Sequence, residues 1–160
     1  MLNIPPDRRG LIHENDVKAL TGWKKILDDA FKQNLAFGKK AKADGVRGGH
    51  KKYGAENITD GDTETYWATD DGVTEASVTV DLHGKKEIKY IFVQEYIKLG
   101  QRVRTFDVEI EKDGGWEKVA SSTTIGYKKI LPLSPVLTSK VRIKITGARA
   151  CPCISNVEVY

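Results

Sequence analysis

The sequence predicts an all-β protein, an antiparallel β-sandwich preceded by one α-helix. Two observations predict this fold class. Apolar residues recur at three- and four-residue steps from residue 14 to about 35, whereas after residue 38 they alternate with polar residues in short runs. Turn residues separate those runs and no helical pattern lies between them, which is typical of antiparallel sandwiches. A chain of 160 residues is long enough to bury such a core.

The predicted helix carries its apolar residues on one stripe. Asn15 or Asp16 can cap its first turn, and Gly38 lies just beyond its expected end. Gly22 weakens the middle of the helix by roughly 1 kcal/mol relative to alanine, so the helix needs a packing partner. The stripe consists of Val17, Leu20, Leu27, Ala30, Phe31 and Leu35, with Trp23 and Ile26 at its edges.

The strands are predicted from runs that begin at residue 76. Most alternate apolar and polar residues, as strands with one buried face do. The run at 88–93 is nearly continuous and apolar, which is typical of a strand covered on both faces. The alternating runs are 76–82, 106–110, 141–145 and 157–159. Turn signals separate them at 83–85, 113–115 and 132–135.

Composition and charge exclude several classes of protein. With 39% apolar and 30% charged residues, the chain is neither disordered nor fibrous. No stretch approaches the ~18 to 20 apolar residues of a membrane span, and the first residues show no signal-peptide core. The net charge is +4, but the basic run at 38–54 is most simply a solvated face, so no nucleic-acid partner is predicted.

Residues for catalysis are missing from the sequence. The three histidines lie in three different loop contexts, and no known hydrolase, metalloprotease or nucleotide-binding motif is present. Cys151 and Cys153 have the wrong spacing for a redox pair and are too few for a disulfide scaffold. We expect two thiols packed near a loop.

An acidic loop at 55–67 is the most informative stretch. Asp60 and Asp62 flank a glycine, and Thr65 follows. A tight loop of this kind can aim several oxygens at one point, as a hard cation requires. The alternative is an ordinary Asp-Gly turn beside a core tryptophan, Trp67.

The pattern N-x-x-D-G-D-x-x-T-x-W at 57–67 resembles the early loop of the galactose-binding-like, factor V/VIII type C (discoidin) domains. The ending at 154–160 resembles their last strand, so the resemblance covers 38–160. It implies a jelly-roll sandwich and a structural calcium ion. The implied ligands are the Asn57 carbonyl, Asp60, Asp62, Thr65 and Glu158, and the Val157 carbonyl is a further possible ligand.

Two other segments resemble family 29 α-L-fucosidases. Residues 3–12 are similar to the segment that leaves their catalytic barrel, and 94–103 to an element of the sandwich domain that follows it. The resemblance implies that 1–37 is a remnant of the barrel, with its last helix, and that 38–160 is the sandwich domain. It also implies a periplasmic or extracellular parent enzyme that hydrolyses terminal α-L-fucosides with two carboxylates. The nucleophile lies in the barrel, so we expect this fragment to be inactive.

The same resemblance implies a weak carbohydrate site, for glycans with fucose or galactose, in the loops at one end of the sandwich. Glu95 and Arg102 could bind sugar hydroxyls as a pair, and Gln101 could add an amide. Tyr96 or Tyr53 could supply an apolar face. Alternatively, Glu95 and Arg102 pair with each other, or the patch docks against the barrel. The domain as a whole could also be a structural module that buttresses the barrel or mediates protein contacts and binds no sugar.

Overall fold

A computed structural model of the chain describes residues 3–160. Two compact units make up the chain, and the second of them is Asn34–Tyr160. The first unit ends at Gln33 and contains the α-helix, α1, over Glu14–Ala30. Among the described residues, no helix is long and apolar enough to cross a membrane.

Helix α1 differs from its prediction at both ends. His13 is its N-cap, because the Nδ1 atom of His13 accepts a hydrogen bond from the amide of Asn15, so neither Asn15 nor Asp16 has this role. The helix ends at Ala30 rather than near residue 35. Leu35 belongs to the second unit, where its amide donates to the carbonyl of Val159 instead of continuing the helix. No residue of α1 is buried, and Trp23 and Ile26 of its stripe are 54% and 66% exposed.

The second unit is an antiparallel β-sandwich, which confirms the predicted fold class. Its strands form one hydrogen-bonded path in the order β2-β7-β3-β6-β4-β5, and β1 pairs with β3. The strands are β1 (Ala41–Ala43), β2 (Trp67–Ala68), β3 (Ala76–Glu95), β4 (Val103–Lys112), β5 (Gly115–Thr123), β6 (Lys129–Ala148) and β7 (Cys153–Val159).

The long strand β3 joins two predicted strands into one. Its first half pairs with β1 and its second half with β7, and the register against β6 shifts between Asp81 and Lys86. The predicted turn at 83–85 is this irregularity, with His83 and Gly84 at φ values of 57° and 109°. The predicted turn at 132–135 is wrong as well, because β6 continues through Pro132, which lies opposite Tyr90 beside a second register shift.

The predicted turn at 113–115 is confirmed. Asp113 and Gly114 have φ values of 50° and 80°, which suits a two-residue hairpin between β4 and β5. The apolar residues that alternate along β3, β4, β6 and β7 form the core, as predicted. The largest fully buried side chains include Trp67, Phe106, Leu82, Ile110, Ile143 and Ile145.

Candidate functional site

The acidic loop places three of the predicted metal ligands together. The Thr65 hydroxyl donates to Asp60 Oδ2 at 2.7 Å, and the Asp62 amide donates to Asp60 Oδ1 at 2.8 Å. Gly61, between the aspartates, has a φ of 82°, and a Cβ there would lie 2.7 Å from the ring of Phe37. The loop therefore needs glycine at this position, and it orders its carboxylates through internal hydrogen bonds.

The other two predicted ligands have different partners. The side-chain Nδ2 group of Asn57 donates to the carbonyl oxygens of Lys52 and Tyr66, and these bonds do not involve the Asn57 carbonyl, which is the implied ligand. The Glu158 carboxylate accepts hydrogen bonds from Asn156 Nδ2 and the Tyr160 hydroxyl. In the part of the chain that the structure describes, no three acidic, histidine or cysteine side chains are grouped to hold a metal ion. The side chains thus fit the proposed calcium set only in part, and the ion stays a prediction.

Glu95 lies inside the protein rather than on its surface. Glu95 is the last residue of β3, it follows four buried residues, and it is 3% exposed. Oε1 accepts hydrogen bonds from the amides of Arg102 and Val103 at 2.7 and 2.8 Å, and Oε2 accepts one from the Gly126 amide at 2.8 Å. The prediction that Glu95 contacts a sugar therefore needs correction. Its carboxylate holds two loops together and makes no pair with the Arg102 guanidinium.

The Arg102 guanidinium turns instead toward Cys151. It donates to the Cys151 carbonyl at 3.0 Å and to the Cys151 sulfur at 2.9 Å, with a longer contact of 3.4 Å to the Cys153 sulfur. Its Nε donates to the Leu99 carbonyl. These bonds fix the side chain in a half-buried position, where it lines a cavity.

This cavity, which we call the arginine cavity, has a volume of about 280 Å³. It lies within the sandwich unit and combines charged, aromatic and small residues, as small-molecule sites commonly do. Two of the predicted sugar ligands, Arg102 and Tyr53, line it, whereas the remaining lining residues had no predicted role in sugar binding. The lining consists of Arg47, Tyr53, Tyr66, Ala68, Asp71, Leu99, Arg102 and Cys153.

A second guanidinium, that of Arg47, faces the same cavity. It forms a two-pronged pair with Asp71, in which both N–O distances are 2.8 Å. Hydrogen bonding to Arg47 lowers the pKa of Asp71, and the same pair raises the pKa of Arg47, so both groups are charged at neutral pH. Asp71 is exposed, and its carboxylate can still accept a hydrogen bond from a ligand.

Three tyrosines form a continuous aromatic wall. The rings of Tyr66 and Tyr96 stack with centroids 4.3 Å apart, and Tyr53 lies tilted against Tyr66 at 5.5 Å. Burial raises the pKa of Tyr66, so its hydroxyl stays protonated. Tyr96 thus supports the wall from behind Tyr66, and Gln101 is exposed outside the cavity lining.

Of the two cysteines beside Arg102, Cys153 lines the cavity and Cys151 lies outside the lining. Both are free and buried, as predicted. Burial raises the pKa of Cys153 to about 12, so this residue is a neutral thiol at physiological pH. Sequence reasoning missed Arg47, Asp71 and Tyr66, because each lies far along the chain from Cys151 and Cys153 and no spacing pattern links them.

Known proteins match this chain over its whole length, and one family model matches most of it. The family model for the F5/8 type C domain matches residues 39–159. Alpha-L-fucosidase 1 of Arabidopsis thaliana is 30% identical over an alignment of 164 positions, gaps included, which covers 100% of this chain and 32% of that protein. A GH29 fucosidase of Ruminococcus gnavus, solved in complex with fucose, is 31% identical with a TM-score of 0.91, over 100% of this chain and 33% of its own. The chain thus spans about a third of the length of these relatives.

A smaller structure shares the fold of the sandwich. Chitosan-binding module 2 of a chitosanase/glucanase from Paenibacillus sp. IK-5, solved with chitotriose, has a TM-score of 0.71 at 19% identity. The match covers 79% of this chain and 99% of the module. At this identity the likeness concerns the fold alone. With three quarters of its length matched by one family model, the chain belongs to the F5/8 type C domain family.

Proposed function

We propose that this chain is the accessory carbohydrate-binding domain of an α-L-fucosidase. Its similarity to plant and bacterial fucosidases over the full length supports that parent protein. The parent enzyme would hydrolyse terminal α-L-fucosides of glycans in the periplasm or outside the cell. Its two catalytic carboxylates would lie in another part of the protein, and we assign no catalytic residue here.

The arginine cavity is the observation that carries the binding role. Guanidinium groups and the Asp71 carboxylate offer donors and an acceptor for hydroxyl groups, and the tyrosine wall offers an apolar face. A related fold, the chitosan-binding module, binds an oligosaccharide. The cavity is small and open to solvent on one side, so few contacts are fully desolvated. We therefore expect weak binding, with a Kd on the order of 1 mM, or about 4 kcal/mol.

Titration followed by NMR tests this role. Fucosylated and galactosylated oligosaccharides are added to the labelled chain, and amide and side-chain signals are recorded. We expect shifts at Arg47, Tyr66 and Arg102, and none at the exposed Lys86 on the far part of β3. If a panel of neutral and charged glycans leaves the signals of the cavity unmoved, the binding role is refuted.

A structural calcium ion in the acidic loop belongs to the same proposal. Asp60, Asp62 and Thr65 are the residues that would hold it, because they offer the hard oxygen donors that calcium takes. Asn57 and Glu158 complete the set that the family resemblance implies. Asn57 would contribute its carbonyl oxygen, and Glu158 would have to share its carboxylate between the ion and its present partners, Asn156 and Tyr160.

A second candidate function is to buttress the rest of the parent protein without binding sugar. The exposed stripe of α1 favours it. An exposed, largely apolar patch on α1 includes Trp23 and Ile26, and both residues are more than half exposed. Amide exchange distinguishes this role: in a longer chain that includes the preceding fucosidase sequence, exchange at 17–31 should slow by at least about tenfold relative to this chain. Unchanged exchange would refute the buttressing role of the helix.

A further inference from the structure

The two arginines of the cavity differ in their charge balance. Arg47 is neutralised by its two-pronged pair with Asp71. The Arg102 guanidinium has hydrogen bonds only to two carbonyl oxygens and two cysteine sulfurs, and none of the ion pairs within residues 3–160 includes it. Two guanidinium groups thus share the single carboxylate of the cavity lining, Asp71, and the lining keeps one net positive charge, carried by the half-buried Arg102.

Such a charge favours an anionic ligand. A guanidinium that is partly removed from water loses hydration, and a charge-assisted hydrogen bond that it donates to an anion restores that loss. The contacts described above use its Nε and Nη1 donors, which leaves the Nη2 group to donate to an oxygen of a carboxylate or a sulfate. A neutral hydroxyl group can accept the same hydrogen bond but brings no negative charge to it. A neutral sugar would leave the charge of Arg102 uncompensated.

We propose that the arginine cavity selects sugars that carry an anionic group, a uronic-acid carboxylate or a sulfate ester, bound against Arg102. The inference rests on the proposed carbohydrate-binding role and names its ligand class. It differs from the expectation drawn from the family resemblance, which is neutral fucose or galactose. A carboxylate and a sulfate offer the same chemistry to the guanidinium, and the experiment below separates them.

The surroundings of the cavity fit one anionic group per bound sugar ring. Lys51 and Lys52 are exposed next to Tyr53, and the ammonium group of Lys52 lies 5.5 Å from the centre of the Tyr53 ring. They add positive potential at the entrance and attract an anion over several ångströms. Asp71 Oδ1 lies 3.6 Å from the Cys151 sulfur, which also contacts Arg102, so this carboxylate limits the cavity to one anionic group and can accept a hydrogen bond from a sugar hydroxyl.

The test compares matched sugars by NMR titration of the chain. One arm pairs galacturonate oligosaccharides with neutral galactose oligosaccharides of equal length. The other arm pairs sulfated with unsulfated fucose oligosaccharides. We expect the anionic member of at least one pair to bind about tenfold or more tightly than its neutral partner, which is the effect of one added charge-assisted hydrogen bond. The arm that shows the preference identifies the anionic group.

Salt dependence gives a readout that needs no variant. Raising sodium chloride from about 50 mM to about 500 mM should weaken the binding of the anionic sugar several-fold and leave the binding of the neutral sugar nearly unchanged.

Variants test the assignment to Arg102. The variant Arg102→Gln should lower the ratio of the two affinities, anionic over neutral, to near unity, and Arg102→Lys should retain part of this preference. Lys86→Gln removes a positive charge from the exposed far part of β3 and should leave the preference intact.

The possible failures are distinguishable. If neutral sugars bind at the cavity as tightly as anionic ones, and salt has no effect, the inference is wrong while the carbohydrate-binding role stands. If neither class moves the signals of Arg47, Tyr66 and Arg102, both proposals are wrong. A preference for anionic sugars that survives in Arg102→Gln would place the anion elsewhere and overturn the assignment to Arg102.

Discussion

The buried carboxylate of Glu95 allows the sharpest prediction about stability. It accepts three backbone hydrogen bonds at 2.7–2.8 Å from two loops, and the residue is 3% exposed. Hydrogen bonds to a charged group contribute about 1.5–3 kcal/mol each, and a buried donor left without a partner costs about 1–3 kcal/mol. Both effects depend on the charge and on the two acceptor atoms.

The variant Glu95→Gln keeps the shape but changes the chemistry. The side-chain oxygen of the glutamine can accept hydrogen bonds from the backbone amides of Arg102 and Val103. Its NH2 group then faces the backbone N–H of Gly126, and two donors cannot form a hydrogen bond with each other. One hydrogen bond is lost and the other two become neutral. We expect the free energy of unfolding to fall by roughly 2–4 kcal/mol. The urea midpoint should move down by about 1–2 M.

Urea denaturation and amide NMR spectra measure the effect. The matched control is Glu87→Gln on the same strand, where the carboxylate is 55% exposed and pairs with Lys89 at 2.9 Å. A surface pair of this kind contributes at most about 1 kcal/mol, so the control should shift the midpoint little. If Glu95→Gln unfolds within about 0.5 kcal/mol of the original chain and the amide signals of Val103 and Gly126 do not move, the three-bond account of Glu95 is refuted.

Four further outcomes are expected. EDTA should lower the melting temperature, because an ion at a hundredfold excess over its Kd adds about 2.7 kcal/mol to the free energy of unfolding. The variant Asp60→Ala should remove this sensitivity to EDTA. Identical melting curves with and without EDTA contradict the calcium site. Amides at 17–31 should exchange faster than those at 141–145, since α1 has no buried residue, and uniformly slow exchange in a monomer argues against this. Cys153 should resist alkylation at pH 8, because its pKa of about 12 keeps it a thiol; rapid labelling, followed by mass spectrometry, would show otherwise. The chain should not hydrolyse a chromogenic α-L-fucoside, and turnover above buffer background would disprove that.

The strands that sequence reasoning predicted are those with a local signal. Alternation at 106–110 and 141–145 marks one buried face, and the structure buries those apolar residues. Strand β5 was missed because it pairs only with β4 and has no fully buried residue, so its sequence lacks alternation. Pro132 was interpreted as a turn, since the register shift that tolerates it depends on its partner strand.

The site was predicted less well, because its members meet only in three dimensions. Arg102 and Tyr53 were identified through the family resemblance, but Arg47 belonged to a run that was interpreted as a solvated face. The sulfur of Cys151 lies 3.6 Å from the Arg47 guanidinium across 104 positions of sequence, and no local pattern reports such a contact. The acidic loop, by contrast, is local, and its hydrogen bonds follow the sequence pattern directly.

The burial of Glu95 had a signal in the sequence that was not used. The residue lies two positions after the nearly continuous apolar run of β3, and a buried carboxylate there must find hydrogen-bond donors inside the protein. The structure supplies backbone amides from the loops on either side, and one of them is the amide of Arg102. The guanidinium of the same residue then donates to the Cys151 carbonyl beside the cavity. The position of the cavity arginine therefore depends on an acid that lies outside the cavity lining, so a change at Glu95 should disturb ligand binding through Arg102.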